Sequence, residues 1–420
     1  MIKSRTAWFM WAIAVTFFSF QFVLRLFPGL VIPELMGKFQ IDATAMGILS
    51  AAYYFGYAGM QIPVGILLDR FSPRYVIAGS ALLCCLGTLS FVYSDYWTLT
   101  ILGRFMIGAG SAVGFLGTAK TIRIAFPESR FTAMIGITFT FGLAGALYGG
   151  KPVSLLIDAW GWTQVLNLLA LFSLFLAVGA FLLFPKENAV QDKAHEEVQV
   201  LGALRTIFTN KKIVWIGLAG GLLVGPLEGF ADVWGVSYLV KAYGFSKADA
   251  SLVASCIYFG MLFGGPILSF IAQKLKSYYS VTAFCGLLMA IVFGLLLLTD
   301  LLTSKTVLMA MMTLTGVLCC YQVVVFAIVC KLAPPHLSGL ATSVTNCMNM
   351  SAGCLFHFVM GVIMDQKWSG AFENGIKVYD ANSYASAISI IPITLLLGFF
   401  GFLLMNDEKS VAANQSVSPG

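Results

Sequence analysis

The sequence predicts an all-α membrane protein in which twelve transmembrane helices form two pseudo-symmetric six-helix bundles. Three observations carry that prediction. Only 10% of the 420 residues are charged while 59% are hydrophobic; an ordinary soluble domain carries about 25% charge. Apolar runs of membrane-spanning length recur along the whole chain. A central polar stretch divides them six and six, and short patterns in one half echo the other.

So few charges cannot coat a water-soluble surface of this size, and lipid has to do part of the solvating. The formal net charge of +6 does not point to nucleic acid, because the basic residues lie scattered between apolar runs and form no patch or stripe. The nine cysteines (Cys84, Cys85, Cys256, Cys285, Cys319, Cys320, Cys330, Cys347 and Cys354) all fall inside apolar runs. Their spacing suits neither a metal site nor a stapled loop, so they read as small apolar fillers. The first apolar run outlasts a signal peptide and has no small-residue cleavage site before Arg25, so it reads as a span.

The predicted spans lie near 7–33, 43–66, 75–94, 97–120, 131–157, 163–185, 213–240, 247–272, 279–299, 306–331, 339–364 and 384–405. Each holds about 20 residues or more, enough to cross roughly 30 Å of hydrocarbon. An even number puts both termini on one side. With the termini inside, 16 of the 25 lysines and arginines fall in cytoplasmic segments, 6 in outer loops and 3 within spans. The asymmetry predicts cytoplasmic termini.

The chain is expected to comprise an N-terminal bundle at 1–185, a cytoplasmic linker at 186–211, a C-terminal bundle at 212–406 and a short cytoplasmic tail at 407–420. The linker holds Glu187, Asp192, Glu196 and Glu197, then Val198, Leu201, Leu204, Ile207 and Phe208 at helical spacing. It reads either as a helix lying on the inner membrane surface or as a plain connector.

The halves echo each other at an offset of 204. Tyr54-Phe55-Gly56 returns as Tyr258-Phe259-Gly260, and Asp69-Arg70 as Gln273-Lys274, each at the cytoplasmic end of the second span of its half. That register suggests a duplicated six-helix unit.

Gly65-Ile66-Leu67-Leu68-Asp69-Arg70-Phe71-Ser72-Pro73-Arg74 resembles the signature loop of the major facilitator superfamily, roughly G-x-x-x-D-R-x-G-x-R. Gly65, Asp69, Arg70 and Arg74 match, and Ser72 replaces the usual glycine. Arg104-Phe105-Met106-Ile107-Gly108-Ala109-Gly110 is similar to the family's R-x-x-x-G-x-G, and Trp160-Gly161-Trp162 stands where many members have G-W-R. The resemblance implies the twelve-helix fold and a transporter working by alternating access, not an enzyme. It also implies a latch for the outward-open state. Gly65 would permit close packing, and Asp69 would face the positive N-terminus of the eleventh span near Ser338-Gly339, while Arg70 and Arg74 would hold the loop inside. Drug/proton antiporters of the family usually carry a G-P-x-x-G-G-like pattern in the fifth span. Gly142 to Pro152 is glycine-rich but lacks that order, and Lys151 intrudes.

Ionisable groups inside spans are costly and mark function by default. Arg25, Arg104, Lys151 and Asp232 come out roughly 7–10 Å outward of the bilayer centre, with Glu228 nearer the midplane and His357 at a similar depth. Arg25 and Lys151 are candidates for gripping a substrate anion, arginine because its planar fork binds carboxylate bidentately. The alternative for Arg25 is an internal salt bridge to Glu228 or Asp232, which share one helix face. Glu228, Asp232, Arg104 and His357 are candidates for proton coupling; Arg104 otherwise serves helix packing. Tyr54, Tyr148, Tyr321, Gln322, Asn346 and Asn349, with Gln21 and Tyr53, are uncharged polar residues deep in the spans, suited to substrate contact or interhelical hydrogen bonding.

No G-x-x-x-x-G-K-[ST], H-E-x-x-H or G-x-S-x-G occurs, which disfavours a nucleotide-driven pump or a hydrolase. The expected protein is a proton-coupled bacterial plasma (inner) membrane carrier, without cofactor or metal and monomeric. It would import a small anionic or zwitterionic solute: a carboxylate, an amino acid or a short peptide. An exporter or antiporter of a drug or siderophore on the same fold is the alternative, and a non-transporting sensor a more distant one.

Overall fold

The computed structural model describes residues 4–186, 200–298, 304–373 and 375–405. Among them, twelve long helical segments follow in chain order. They are α1 Ser4–Leu30, α2 Ala43–Arg70, α3 Pro73–Tyr93, α4 Trp97–Ala125, α5 Glu128–Trp160, α6 Trp162–Leu183, α7 Lys211–Tyr243, α8 Lys247–Leu275, α9 Tyr278–Leu296, α10 Lys305–Leu332, α11 Pro335–Gln366 and α12 Ala381–Leu404. Eleven of these segments are long and apolar enough to cross a membrane. The remaining one, α2, is 28 residues long. It packs along α11 at the centre of the molecule, so its tyrosines, Ser50 and Gln61 face protein and its hydropathy is lower.

Pairing within the halves repeats the sequence echo. In the first half Gly108 of α4 lies against the backbone of Tyr53 on α2; in the second, Gly316 of α10 lies against the backbone of Ile257 on α8. A Cβ at either glycine would collide with main chain, so these helices approach more closely than any side chain allows. Tyr53 and Ile257 stand at the same 204-residue offset as the two Tyr-Phe-Gly triplets.

The halves close on the face away from the termini. Asp365 at the end of α11 accepts hydrogen bonds from Thr44 N (2.8 Å) and Thr44 Oγ1 (2.5 Å) on α2. The same carboxylate accepts from Lys377 Nζ (2.9 Å) and Tyr379 OH (2.5 Å). Tyr379 in turn accepts from Ala43 N at 3.0 Å. Lys377 ends, and Tyr379 follows, a short hairpin, β1 Phe372–Glu373 with β2 Ile376–Lys377. Hydrogen bonding to Asp365, backed by the nearby Asp42, holds the Lys377 ammonium above its ordinary pKa. Lys247–Glu34 (3.0 Å) and Lys151–Asp249 (3.8 Å) add ion pairs across the same seam.

Toward the termini the halves part. Gly59 and Gly65 on α2 and Gly339 on α11 meet no neighbouring element within 4 Å of where a Cβ would stand. The close packing expected at Gly65 is therefore absent, and Asp69 bonds Lys120 of its own half at 2.9 Å rather than the N-terminus of α11. The physical reason is the conformation: the two elements of the expected latch lie on the side where the halves are open.

The rest of the signature loop docks onto the end of α6. Ser72 caps α3 by accepting from Arg74 N at 3.3 Å and donates to Pro185 O at 2.9 Å. Arg74 donates to Phe184 O at 3.3 Å and lies 4.3 Å over the Phe181 ring. A cation at a helix C-terminus is favourable, so the serine that replaces the family glycine adds a cap and a tether. Gly161 makes the α5–α6 turn at φ +83°, a conformation disfavoured for residues with a side chain.

The described part of the linker contains a helix, Val200–Thr209. Ala203 and Ile207 are buried and Phe208 is exposed, as one-sided packing requires. Residues 187–199 and the tail 407–420, with Glu187, Asp192, Glu196, Glu197, Val198 and Lys409, lie outside the described residues, as does Lys3.

Candidate functional site

Arg25 stands in the last third of α1, three residues before Pro28. Proline has no N–H, so the carbonyl of Leu24 loses its helical donor. Arg104 of α4 supplies one: its Nη1 donates to Leu24 O at 2.8 Å and its Nη2 to Arg25 O at 3.3 Å. The Arg104 guanidinium also lies 4.8 Å over the Tyr53 ring, and Tyr53 donates to Gln21 Oε1 at 2.8 Å. Arg104 thus braces the backbone that presents Arg25.

Glu228 and Asp232 sit on a wide π-helical turn, Gly225–Trp234, within α7. Pro226 in its first turn and the flanking glycines disturb regular helix, and such turns recur at functional sites. The turn delivers both carboxylates to Arg25 across the seam. Arg25 Nη2 pairs with Glu228 Oε2 and, at 2.5 Å, with Asp232 Oδ2. Arg25 Nε donates to the same Asp232 oxygen at 2.6 Å and to Tyr54 OH at 3.0 Å. Tyr54 OH donates to Asp232 Oδ2, and Tyr258 OH of α8 to Asp232 Oδ1. All are buried; Arg25 is 7% exposed. Arg25, Arg104, Glu228 and Asp232 together form a neutral set of four charges from three helices.

Asn349, Gly353 and His357 are four residues apart and share one face of α11. Beside Gly353 pack the Tyr54 ring and Glu228 Cβ, about where its own Cβ would be, and the His357 ring lies 4.9 Å from that of Tyr54. Both polar atoms of Asn349, both His357 nitrogens and Glu228 Oε1 are buried without a hydrogen-bond partner. A group of this kind costs about 1–3 kcal/mol if left unpaired, so the strip offers five polar atoms to water or to a ligand.

The remaining candidates lie elsewhere. Lys151 begins a separate helical piece after a break at Gly150; it is 38% exposed and meets Asp249, which Lys305 holds at 2.5 Å. Tyr148 is 66% exposed. Tyr321 donates to Gly220 O at 2.8 Å, tying α10 to α7, and Gln322 and Asn346 are half-buried.

The sequence profile described as Major Facilitator Superfamily matches residues 9–357. The chain belongs to the major facilitator superfamily. It is a multi-pass membrane transporter, not an enzyme. It is 25% identical over 377 residues to the probable galactarate/D-glucarate transporter GarP of Escherichia coli K12, covering 79% of this chain and 82% of that protein. It is 22% identical to the probable galactarate/D-glucarate transporter GudP of Bacillus subtilis, over 94% of this chain and 93% of the relative. The hexuronate transporter of Bacillus subtilis is 21% identical, over 83% and 86%. Among solved structures, the nucleoside transporter NupG superposes with a TM-score of 0.74 at 15% identity, over 96% of this chain and 99% of that one. A bacterial homologue of the human lysosomal transporter Spinster, inward-facing and unoccupied, gives 0.70 at 13%, over 96% and 95%. Likeness this remote speaks for the fold.

One central residue, Tyr258, was not a sequence candidate. Its signal was present: it is the repeat partner of Tyr54 at the 204-residue offset.

Proposed function

We propose that this transporter imports a small organic acid together with protons across the bacterial plasma (inner) membrane, its termini cytoplasmic and the protein working as a monomer. One observation carries the reading: a buried, charge-neutral set in the seam between the halves, whose arginine faces two carboxylates. A solute carboxylate entering this set adds one uncompensated negative charge, which a buried site tolerates poorly. A proton taken up by Glu228 or Asp232 restores neutrality, so solute and proton enter together. The relatives named for galactarate, glucarate and hexuronate favour a hydroxylated carboxylic acid over an amino acid or peptide. Arg25 holds the carboxylate, and Tyr54 and Asn349 contact the solute. Glu228 and Asp232 carry the proton. Lys151, at the rim, helps to close the outer face. The open face is then the cytoplasmic one, and the structure is inward-facing; rocking of the halves reopens the other side.

The test is uptake of labelled galactarate, glucuronate and glucose into proteoliposomes with an alkaline interior. Accumulation of an acid but not of the neutral sugar is expected. Transport of the sugar alone, or extrusion of the acids against the imposed gradient, would contradict the reading.

A further inference from the structure

We propose that Arg25, Tyr54 and Tyr258 form a preformed carboxylate cradle, and that Asp232 occupies it as a stand-in for the solute's own carboxylate. This rests on the organic-acid reading and adds the identity of the binding groups and their present occupant.

The donors converge on a single carboxylate. Arg25 contributes Nε at 2.6 Å and Nη2 at 2.5 Å to Asp232 Oδ2. Tyr54 OH donates to the same oxygen and Tyr258 OH to the other. They come from α1 and α2 of one half and α8 of the other, so whatever fills the cradle also bridges the halves. Tyr54 and Tyr258 are equivalent in the sequence repeat, as a site made by folding two copies of one unit around a central ligand would have them. A planar carboxylate offers both oxygens to such an array, and a guanidinium fork flanked by hydroxyls recognises it by shape as well as charge.

Three features separate a stand-in from a permanent structural bridge. Asp232 is crowded with donors, whereas Glu228 Oε1 on the same turn and both His357 nitrogens, against the Tyr54 ring, are buried without protein partners, polar atoms that a ligand can satisfy. Those atoms offer both donors and acceptors, matching the hydroxyls of an acid whose carboxylate lies in the cradle. Asp232 also rides on a π-helical turn, Gly225–Trp234, a geometry that can shift register and withdraw a side chain. Solute arrival exchanges one carboxylate for another, and the bridge between halves survives the exchange.

The experiment measures galactarate affinity and melting temperature for the detergent-purified wild type, Asp232→Asn and Tyr258→Phe. The amide keeps the size of the carboxylate but removes the competing charge. Asp232→Asn is expected to bind galactarate about tenfold more tightly or better, as expected for removing a charge-assisted competitor. Tyr258→Phe, which leaves the ion pairs in place, is expected to bind about tenfold more weakly. If Asp232→Asn fails to fold, Tyr258→Phe decides alone: a lower melting temperature with unchanged affinity would assign the tyrosine to structure and overturn the cradle. Unchanged or weaker binding by a folded Asp232→Asn would overturn the stand-in. Absence of organic-acid binding to the wild type would instead overturn the functional reading, and the cradle with it.

Discussion

Arg25 is the residue on which the seam depends, because its guanidinium holds Glu228 and Asp232 together. Removing one partner of a buried ion pair costs about 3–5 kcal/mol, since the other charge is left without compensation. Arg25→Gln is therefore expected to lower the melting temperature sharply, and adding Glu228→Gln to restore much of the loss. Equal melting temperatures for wild type and Arg25→Gln would show that the pair does not bear on stability. Arg25→Lys keeps the charge but cannot present Nε and Nη2 to one carboxylate. Solute affinity should fall roughly ten- to a hundredfold, the cost of a charge-assisted hydrogen bond; unchanged affinity would remove the arginine from the binding site. The five ionisable residues of the site could be read from the sequence because each interrupts an apolar run. Tyr258 is marked in the sequence only by its place in the repeat, since an aromatic among apolar residues otherwise reads as packing. Lys151 interrupts an apolar run too, but it begins a new helical piece after Gly150 and pairs with Asp249 instead of joining the set.

The contact of α2 with α11 is the element that sets which face is closed. Asp365 accepts from the first turn of α2 across the seam and gathers Lys377 and Tyr379 behind it. A Thr44→Cys, Asp365→Cys pair in a cysteine-free background is expected to cross-link under oxidant. Transport should stop when it does and return with reductant. Uptake that continues in the fully cross-linked protein would show that these ends need not separate during the cycle. Both helices were legible as apolar runs, to within four residues at each end, and the signature loop in its motif. The partners of Gly65 and Asp69 were not, because one sequence serves several arrangements of the halves and the structure holds one of them. The π-helical turn left only a faint trace, a Gly-Pro step at Gly225-Pro226 in an otherwise regular apolar run.

For the molecule as a whole, the sequence repeat returns as matched helix packing, with Gly108 against Tyr53 and Gly316 against Ile257. Bundle architecture was readable for that reason: span length, polar breaks and register all follow from the demands of lipid on a duplicated unit. The asymmetry of the basic residues predicts cytoplasmic termini. In a cysteine-free background, membrane-impermeant thiol reagents applied from outside the cell should label Ser304→Cys and spare Ser72→Cys; the opposite pattern would invert both faces. The most direct test of an organic-acid carrier driven by protons through the Arg25 seam compares two modes of transport in Glu228→Gln and Asp232→Asn. Wild-type proteoliposomes should concentrate galactarate against its gradient when the interior is alkaline. At least one of the two variants should lose that accumulation while still exchanging preloaded galactarate for external solute. Uphill accumulation undiminished in both variants would contradict the assignment of the coupling proton to this pair.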